Sequence, residues 1–186
     1  MRILLVQQQI QGRDDQTTLQ ALVEADTYRL ELLQEQEDIE HNLEMGIDLE
    51  ANAERLGDVV AELDAINADT AHDRAIEILN GLSFTQEMTL RPTSNLSGGW
   101  RMRLALAKAL FVSNYDLILL DECSNHLDLS GMDWLIRKLV ESDQTIIVVS
   151  HDRSFLGAVC TDVRSFVFFL FSLIISNMIL TSPVFL

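Results

Sequence analysis

The sequence predicts an α/β fold built on a parallel sheet, and three observations carry that reading. Leu117 to Leu120 and Thr145 to Val149 are short, continuous apolar runs, the pattern of parallel strands covered on both faces. Between them a helical pattern runs through Trp134 to Val140, and strands alternating with helices are the mark of an α/β core. Each run also ends in polar residues capable of chemistry, Asp121-Glu122 after the first and Ser150-His151-Asp152 after the second. Ligands bind at that edge of such sheets, where the carboxyl ends of the strands gather.

The remaining elements follow in chain order. Arg2 to Gln7 reads as a short buried strand, four apolar residues bounded by Gln7-Gln8-Gln9. From Thr17 to about Ile66, Leu19, Leu22, Val23, Leu30, Leu33, Ile39 and Leu43 recur at three-to-four spacing among Glu and Gln, which predicts an acidic helical insert, a hairpin broken near Gly46. Asp69 or Thr70 can cap a further helix whose apolar face is Ala75, Ile76 and Leu79 and which Gly81 can end. After a loop containing Pro92, Leu96-Ser97-Gly98-Gly99 opens a helix from about Trp100 to Val112, with Arg101, Arg103 and Lys108 on a basic face assigned to solvation and the phosphate environment.

The chain has 186 residues, enough for one domain with a substantial core, and 48% of them are hydrophobic. Its 29 acidic and 13 basic residues give a net charge of −16, which repels a phosphate backbone and argues against direct, sequence-specific nucleic-acid binding. Cys123 and Cys160, at no metal-like spacing, support neither a disulfide framework nor a zinc site and point to a reducing, intracellular setting. The Ile3 to Val6 run is too short for the apolar region of a signal peptide. After Arg164 the last 22 residues carry no charge and hold five of the eight phenylalanines.

Two adjacent carboxylates at the end of an apolar strand suit a nucleotide hydrolase: Asp121 can hold Mg²⁺ through water while Glu122 polarises the attacking water. Alone, the motif is equally a buried strand running into an acidic turn. Ser97-Gly98-Gly99 offers backbone N–H groups and a hydroxyl at the positive end of a helix dipole, fit to grip a γ-phosphate, although Ser97 is as well explained as an ordinary N-cap. His151 can reach a terminal phosphate, but a single histidine in such a loop is more often a capped loop residue than a catalytic one.

Order and spacing narrow these alternatives. Leu96-Ser97-Gly98-Gly99-Trp100-Arg101-Met102-Arg103, Leu120-Asp121-Glu122, Asn125-His126-Leu127-Asp128 and Val149-Ser150-His151-Asp152-Arg153 resemble the ABC-F family of ATP-binding cassette ATPases over about residues 1 to 163. Trp100 in place of the usual signature glutamine is similar to the first cassette of the eukaryotic members. Upstream, Val6-Gln7-Gln8-Gln9 resembles the Q-loop of the family, and the run from Asp14 to Gln20 the acidic segment after it. The resemblance implies a P-loop NTPase-like ABC ATPase core with an incomplete parallel sheet, an α-helical insert and a signature-helix subdomain. It makes Gln8 the sensor of Mg²⁺ and γ-phosphate, and Ser97, Gly98 and Gly99 the signature that contacts ATP on the opposite cassette. Asp121 becomes the metal partner, Glu122 the water activator, Asp128 the carboxylate linking two cassettes and His151 the switch on the γ-phosphate. The implied activity is hydrolysis of ATP with Mg²⁺ between two cassettes, in a cytoplasmic, ribosome-associated translation factor.

Departures bound the resemblance. No G-x-x-x-x-G-K-[ST] loop occurs, and the only lysines, Lys108 and Lys138, lie in helices, which reads as an N-terminal truncation. Sheet surface left uncovered by that loss is expected to make the isolated chain aggregate. Cys123-Ser124 stands where the family has Pro-Thr, which frees the turn after Glu122. The division expected is a partial nucleotide-binding domain over 1–163 and a non-family tail over 164–186. Phe166 to Leu180 falls short of the roughly 20 residues that span a bilayer. Read-through sequence, a membrane anchor and core packing therefore stay open for the tail. Beside the ATPase reading stand a non-catalytic interaction module and, if the 166–186 tail is genuine, a membrane-associated ABC subunit.

Overall fold

The computed structural model describes residues 3–6, 16–112, 116–142, 144–163 and 178–181. Ile3–Val6 (β1), Leu117–Asp121 (β2), Thr145–Val149 (β3) and Met178–Thr181 (β4) form one sheet in that spatial order. The first three strands are parallel, with Leu4 opposite Ile118 and Leu120 opposite Val148. Ile118, Leu120, Ile146 and Val148 are at most 2% exposed and join one core with Leu79, Leu104, Phe111, Leu135 and Phe155. Their neighbours Leu117, Leu119, Ile147 and Val149 are only half-buried, so one face of β2 and β3 is sealed and the other partly open among the described residues. That alternation differs from the two-sided burial the continuous apolar runs predict.

The tail contributes to this sheet. Met178–Thr181 pairs antiparallel with β3, Ile147 facing Leu180 and Val149 facing Met178. The rest of the Phe166 to Leu180 stretch lies outside the described residues. Among those described, no helix is long and apolar enough to cross a membrane.

The helical insert is more divided than its periodicity predicts. Thr18–Val23 (α1) opens with a capping box, Thr17 accepting from the Gln20 N–H while Gln20 accepts from the Thr17 N–H. It is pinned to the Pro92 loop, where the Thr18 N–H donates to the Arg91 carbonyl and the Thr93 N–H to that of Gln16, each at 2.9 Å. Thr27–Glu44 (α2) and Leu49–Ala65 (α3) form the expected hairpin, turning through Gly46 at φ +73° and Asp48 at φ +38°. Its core is separate: Leu32, Ile39, Val59 and Leu63, flanked by Tyr28, Leu43 and Leu56. Tyr28, Leu32, Ile39 and Leu43 follow one helical stripe, which leaves Leu30 and Leu33 exposed despite their place in the apolar pattern. Across the hairpin, Arg55 meets both Glu35 oxygens at 2.7 and 2.8 Å and Tyr28 donates to Glu62 at 2.7 Å, while Arg55 also meets Glu62 on its own helix at 3.0 Å. The Arg55 guanidinium holds the Glu35 carboxyl below its usual range; for Glu62 the Tyr28 hydroxyl leads and Arg55 follows.

Ala71–Gly81 (α4) buries Ala75, Ile78 and Leu79; Ile76, expected on the apolar face, is 36% exposed because it lies off the stripe that these three define. Thr70 holds the N-cap position without a capping bond, its hydroxyl donating instead to the Asn67 carbonyl at 3.1 Å. Gly81 does not end the helix by a left-handed turn; Ser83, at φ +66°, takes that conformation. Gly81 is required for close approach, since a Cβ there would fall 2.0 Å from Trp134 Cε2. Gln86–Thr89 (α5) leads to Gly98–Phe111 (α6), which starts two residues earlier than predicted. Leu129–Val140 (α7) crosses between β2 and β3, and Arg153–Val159 (α8) follows β3. Arg74 joins the insert to the core, donating to the Ile66 carbonyl at 3.2 Å with its guanidinium 4.8 Å from the Phe111 ring centre.

Candidate nucleotide-hydrolysis site

β2 and β3 end level, Asp121 opposite Val149, so the residues after each strand meet at one sheet edge. Asp121 is exposed there. Glu122 leaves β2 at φ +48°, ψ +37°, a left-handed conformation that costs a non-glycine residue about 1–2 kcal/mol. It is held by its N–H, which donates to the Val149 carbonyl at 2.8 Å. Strain of this kind persists only where surroundings impose it, and it concentrates at functional sites.

The Glu122 carboxylate faces the switch loop. Oε1 lies 3.4 Å from His151 Nε2 and is buried without a hydrogen-bond partner, whereas Oε2 accepts from Asn125 Nδ2 at 3.0 Å. The Glu122 side chain is 15% exposed and that of His151 65%. The two residues that stand in place of Pro-Thr after Glu122 are both buried. Cys123 is sealed in the core, where burial pushes its thiol up to about 12, and the Ser124 hydroxyl lies 3.1 Å from that of Ser150. The half-buried Cys160 thiol is raised to about 11 for the same reason.

The signature turn is placed beside this loop. Ser97 occupies the N-cap position of α6 without bonding its own helix, and Ser97 and Gly98 are exposed. A Cβ on Gly99 would come 3.8 Å from His126 Nδ1. Arg103 lies mostly buried, its side chain 12% exposed, a correction to its assignment to solvation. Its Nε donates to the His126 carbonyl at 2.6 Å and its Nη1 to that of Leu82 at 3.2 Å, with the guanidinium 4.4 Å from the Trp100 ring centre. Arg101 folds back onto the Leu96 carbonyl at 2.9 Å. Backbone carbonyls thus accept from both guanidinium groups, and Arg101 stays exposed.

Asp128 caps α7, Oδ1 accepting from the Gly131 N–H at 3.0 Å and the Ser83 hydroxyl at 2.9 Å, while Oδ2 lies 3.8 Å from Arg103. The Gly131 amide, then Ser83 and Arg103, lower its carboxyl from the ordinary aspartate value. Gln8 lies outside the described residues. The structure thus brings Glu122 and His151 together with Asp121 at the same edge, and sets the signature turn against the loop that follows. The Ser124, Ser150 and Asn125 contacts escaped sequence reasoning; only the nearness of Ser150 to His151 and of Asn125 to Glu122 hinted at them.

No group of three or more His, Cys, Asp or Glu residues able to hold a metal occurs among the described residues. One exposed carboxylate beside a second is what Mg²⁺ carried on phosphate oxygens requires, because that ion keeps several waters and takes one or two protein carboxylates. The orphaned Glu122 Oε1 fits a water molecule at the same edge. A cavity of about 130 Å³, lined by Ile78, Ile118, Trp134, Lys138 and Ile146, opens at the opposite end of β2 and β3 and takes no part in this chemistry.

The fold and this edge define an α/β cassette of the nucleotide-hydrolase class. Residues 2–125 match the family described as ABC transporter, and the chain belongs to that family of ATP-binding cassettes, in its F branch. It is 45% identical over 161 residues to ATP-binding cassette sub-family F member 3 of Mus musculus, covering 87% of this chain and 22% of that protein. It is also 45% identical over 176 residues to ABC transporter F family member 3 of Arabidopsis thaliana, covering 87% and 24%. To sub-family F member 2 of Bos taurus it is 41% identical over 149 residues, 80% and 23%. The chain therefore spans less than a quarter of the length of these relatives. In fold it is similar to an ATP-binding cassette solved as a dimer in a post-hydrolysis state with ADP and Pi, at TM-score 0.50 and 23% identity, covering 85% of this chain and 56% of that one.

Proposed function

We propose that this chain is the part of an ATP-hydrolysing cassette that supplies the water-activating carboxylate and the switch histidine to one nucleotide and the signature turn to another. The observation that carries the reading is Glu122, strained at a strand end with one buried, unpartnered oxygen 3.4 Å from His151. Glu122 Oε1 accepts a hydrogen bond from the attacking water and draws its proton as the bond to the γ-phosphorus forms, while the bond from that phosphorus to the β–γ bridging oxygen breaks and ADP leaves. Asn125 fixes the other oxygen, so that the carboxylate keeps one orientation. His151 orients the terminal phosphate, and Ser97, Gly98 and Gly99 present N–H groups at the start of α6 to a nucleotide on a second cassette. Asp121 and Gln8 would hold Mg²⁺, which neutralises charge building on the phosphate oxygens. Asp128 links the signature side to the second cassette.

The phosphate-cradling glycine-lysine loop is not among these 186 residues and has to come from other sequence. The second reading takes the chain alone as a non-catalytic module that only offers its signature face to another cassette. By its F-branch resemblance the whole protein is taken to be a cytoplasmic, translation-associated ATPase whose partner is the ribosome. The test joins the chain behind the amino-terminal segment of the mouse relative and compares it with its Glu122→Gln variant. Hydrolysis should fall about 100-fold or more, the scale of a lost general base, with ATP affinity within about twofold. An unchanged rate removes Glu122 from the reaction, and no ATP binding by the fusion favours the non-catalytic reading. The ATP-locked variant should also sediment with ribosomes; equal sedimentation with and without ATP removes the translation-associated part.

A further inference from the structure

We propose that Ser124 and Ser150 are positioning residues that hold the His151 loop in register with Glu122. The inference deepens the hydrolytic reading and rests on it. Glu122 and His151 follow the ends of different strands, 29 positions apart, and the His151 ring is largely exposed. An exposed imidazole keeps one place relative to a carboxylate only if the backbone on both sides of it is fixed.

Both sides are fixed. Ahead of His151, Ser150 is fully buried, its hydroxyl 3.1 Å from that of Ser124, itself 6% exposed on the turn that follows Glu122. Behind it, the Asp152 N–H donates to Ser150 Oγ at 3.1 Å, and the Asp152 carboxylate accepts from the Ser154 and Phe155 amides at 2.8 and 3.1 Å to start α8. A hydroxyl both donates and accepts, so Ser150 can accept the hydrogen bond of the Asp152 N–H while donating its own to Ser124. The result is a continuous link from the α8 cap to the Glu122 turn, running beneath the histidine. The Glu122 N–H on the Val149 carbonyl closes the ring from the other side. Cys123, between Glu122 and Ser124, packs into the core and has no hydroxyl to supply this link.

The test uses the same fusion behind the amino-terminal segment of the mouse relative and needs no nucleotide, so its outcome is independent of whether the chain takes part in hydrolysis. Nuclear magnetic resonance follows the His151 ring signals and the exchange rates of the Glu122 and Asp152 amides. Ser124→Ala should displace the ring signals and speed exchange at both amides about fivefold, the weight of one hydrogen bond. Ser124→Thr, which keeps the hydroxyl, should restore all three signals. Ser142→Ala, which loses a contact to Gln144 at the other end of β3, should leave them unchanged. Unchanged signals in Ser124→Ala, or equal displacement in Ser142→Ala, would overturn the proposal. If Ser124→Ala does not fold, Ser124→Cys, close in volume with a weak donor, takes its place with the same two outcomes.

Discussion

Glu122 shows what a single residue gains from its neighbours. Its side-chain type and its place after an apolar strand could be read directly, but not its left-handed backbone, the Asn125 contact or the distance to His151. Those depend on β3 arriving alongside β2, which no local pattern encodes. Gly81 makes the same point from packing. In the sequence it is a helix-ending glycine; in the structure it is the last residue of α4, and its missing Cβ admits the Trp134 ring. Gly81→Ala should therefore destabilise the chain by about 1–3 kcal/mol despite alanine's better helix propensity, because the ring has to shift. A urea titration reads this as a lower midpoint, and an equal or higher midpoint would mean that helix propensity outweighs the clash.

At the scale of elements, periodicity served best where one side of an element decides its burial. α6 and α7 form where the sequence predicts helices because their apolar residues meet the core at helical period, whereas β2 and β3 form where predicted but bury only alternate residues. α2 differs, since its stripe is set by α3 alone and bypasses Leu30 and Leu33. The hairpin core shares no residue with the main core, which predicts an independently opening unit. Leu63→Ala should cost the hairpin about 2–3 kcal/mol, the low end for a leucine truncation beside a small cluster that can collapse. Amide exchange should accelerate across α2 and α3 while β2 and β3 keep their protection. Uniform acceleration through the sheet would show instead that the hairpin and core unfold together.

Over the whole molecule, the net charge of −16 is spread through a chain with few cations to offset it. The Arg55, Arg103 and Lys138 ion pairs neutralise it only locally. Self-repulsion should lower stability at low salt. The urea midpoint should thus rise from about 0.01 M to about 1 M salt, as the screening length shrinks from about 30 Å to about 3 Å. A falling midpoint would give the ion pairs the greater weight. The sequence by itself determined the parallel α/β class, the α2–α3 hairpin and the identity of the chemical groups, because strand runs, helical stripes and motif spacing are local properties of the chain. Only the tertiary structure decided which groups meet. The Glu122–His151 approach, the Ser124–Ser150 contact, the several bonds of Arg103 and the β4 pairing all join residues distant in sequence. Such contacts exist only once burial of the core has fixed the strands and helices against one another.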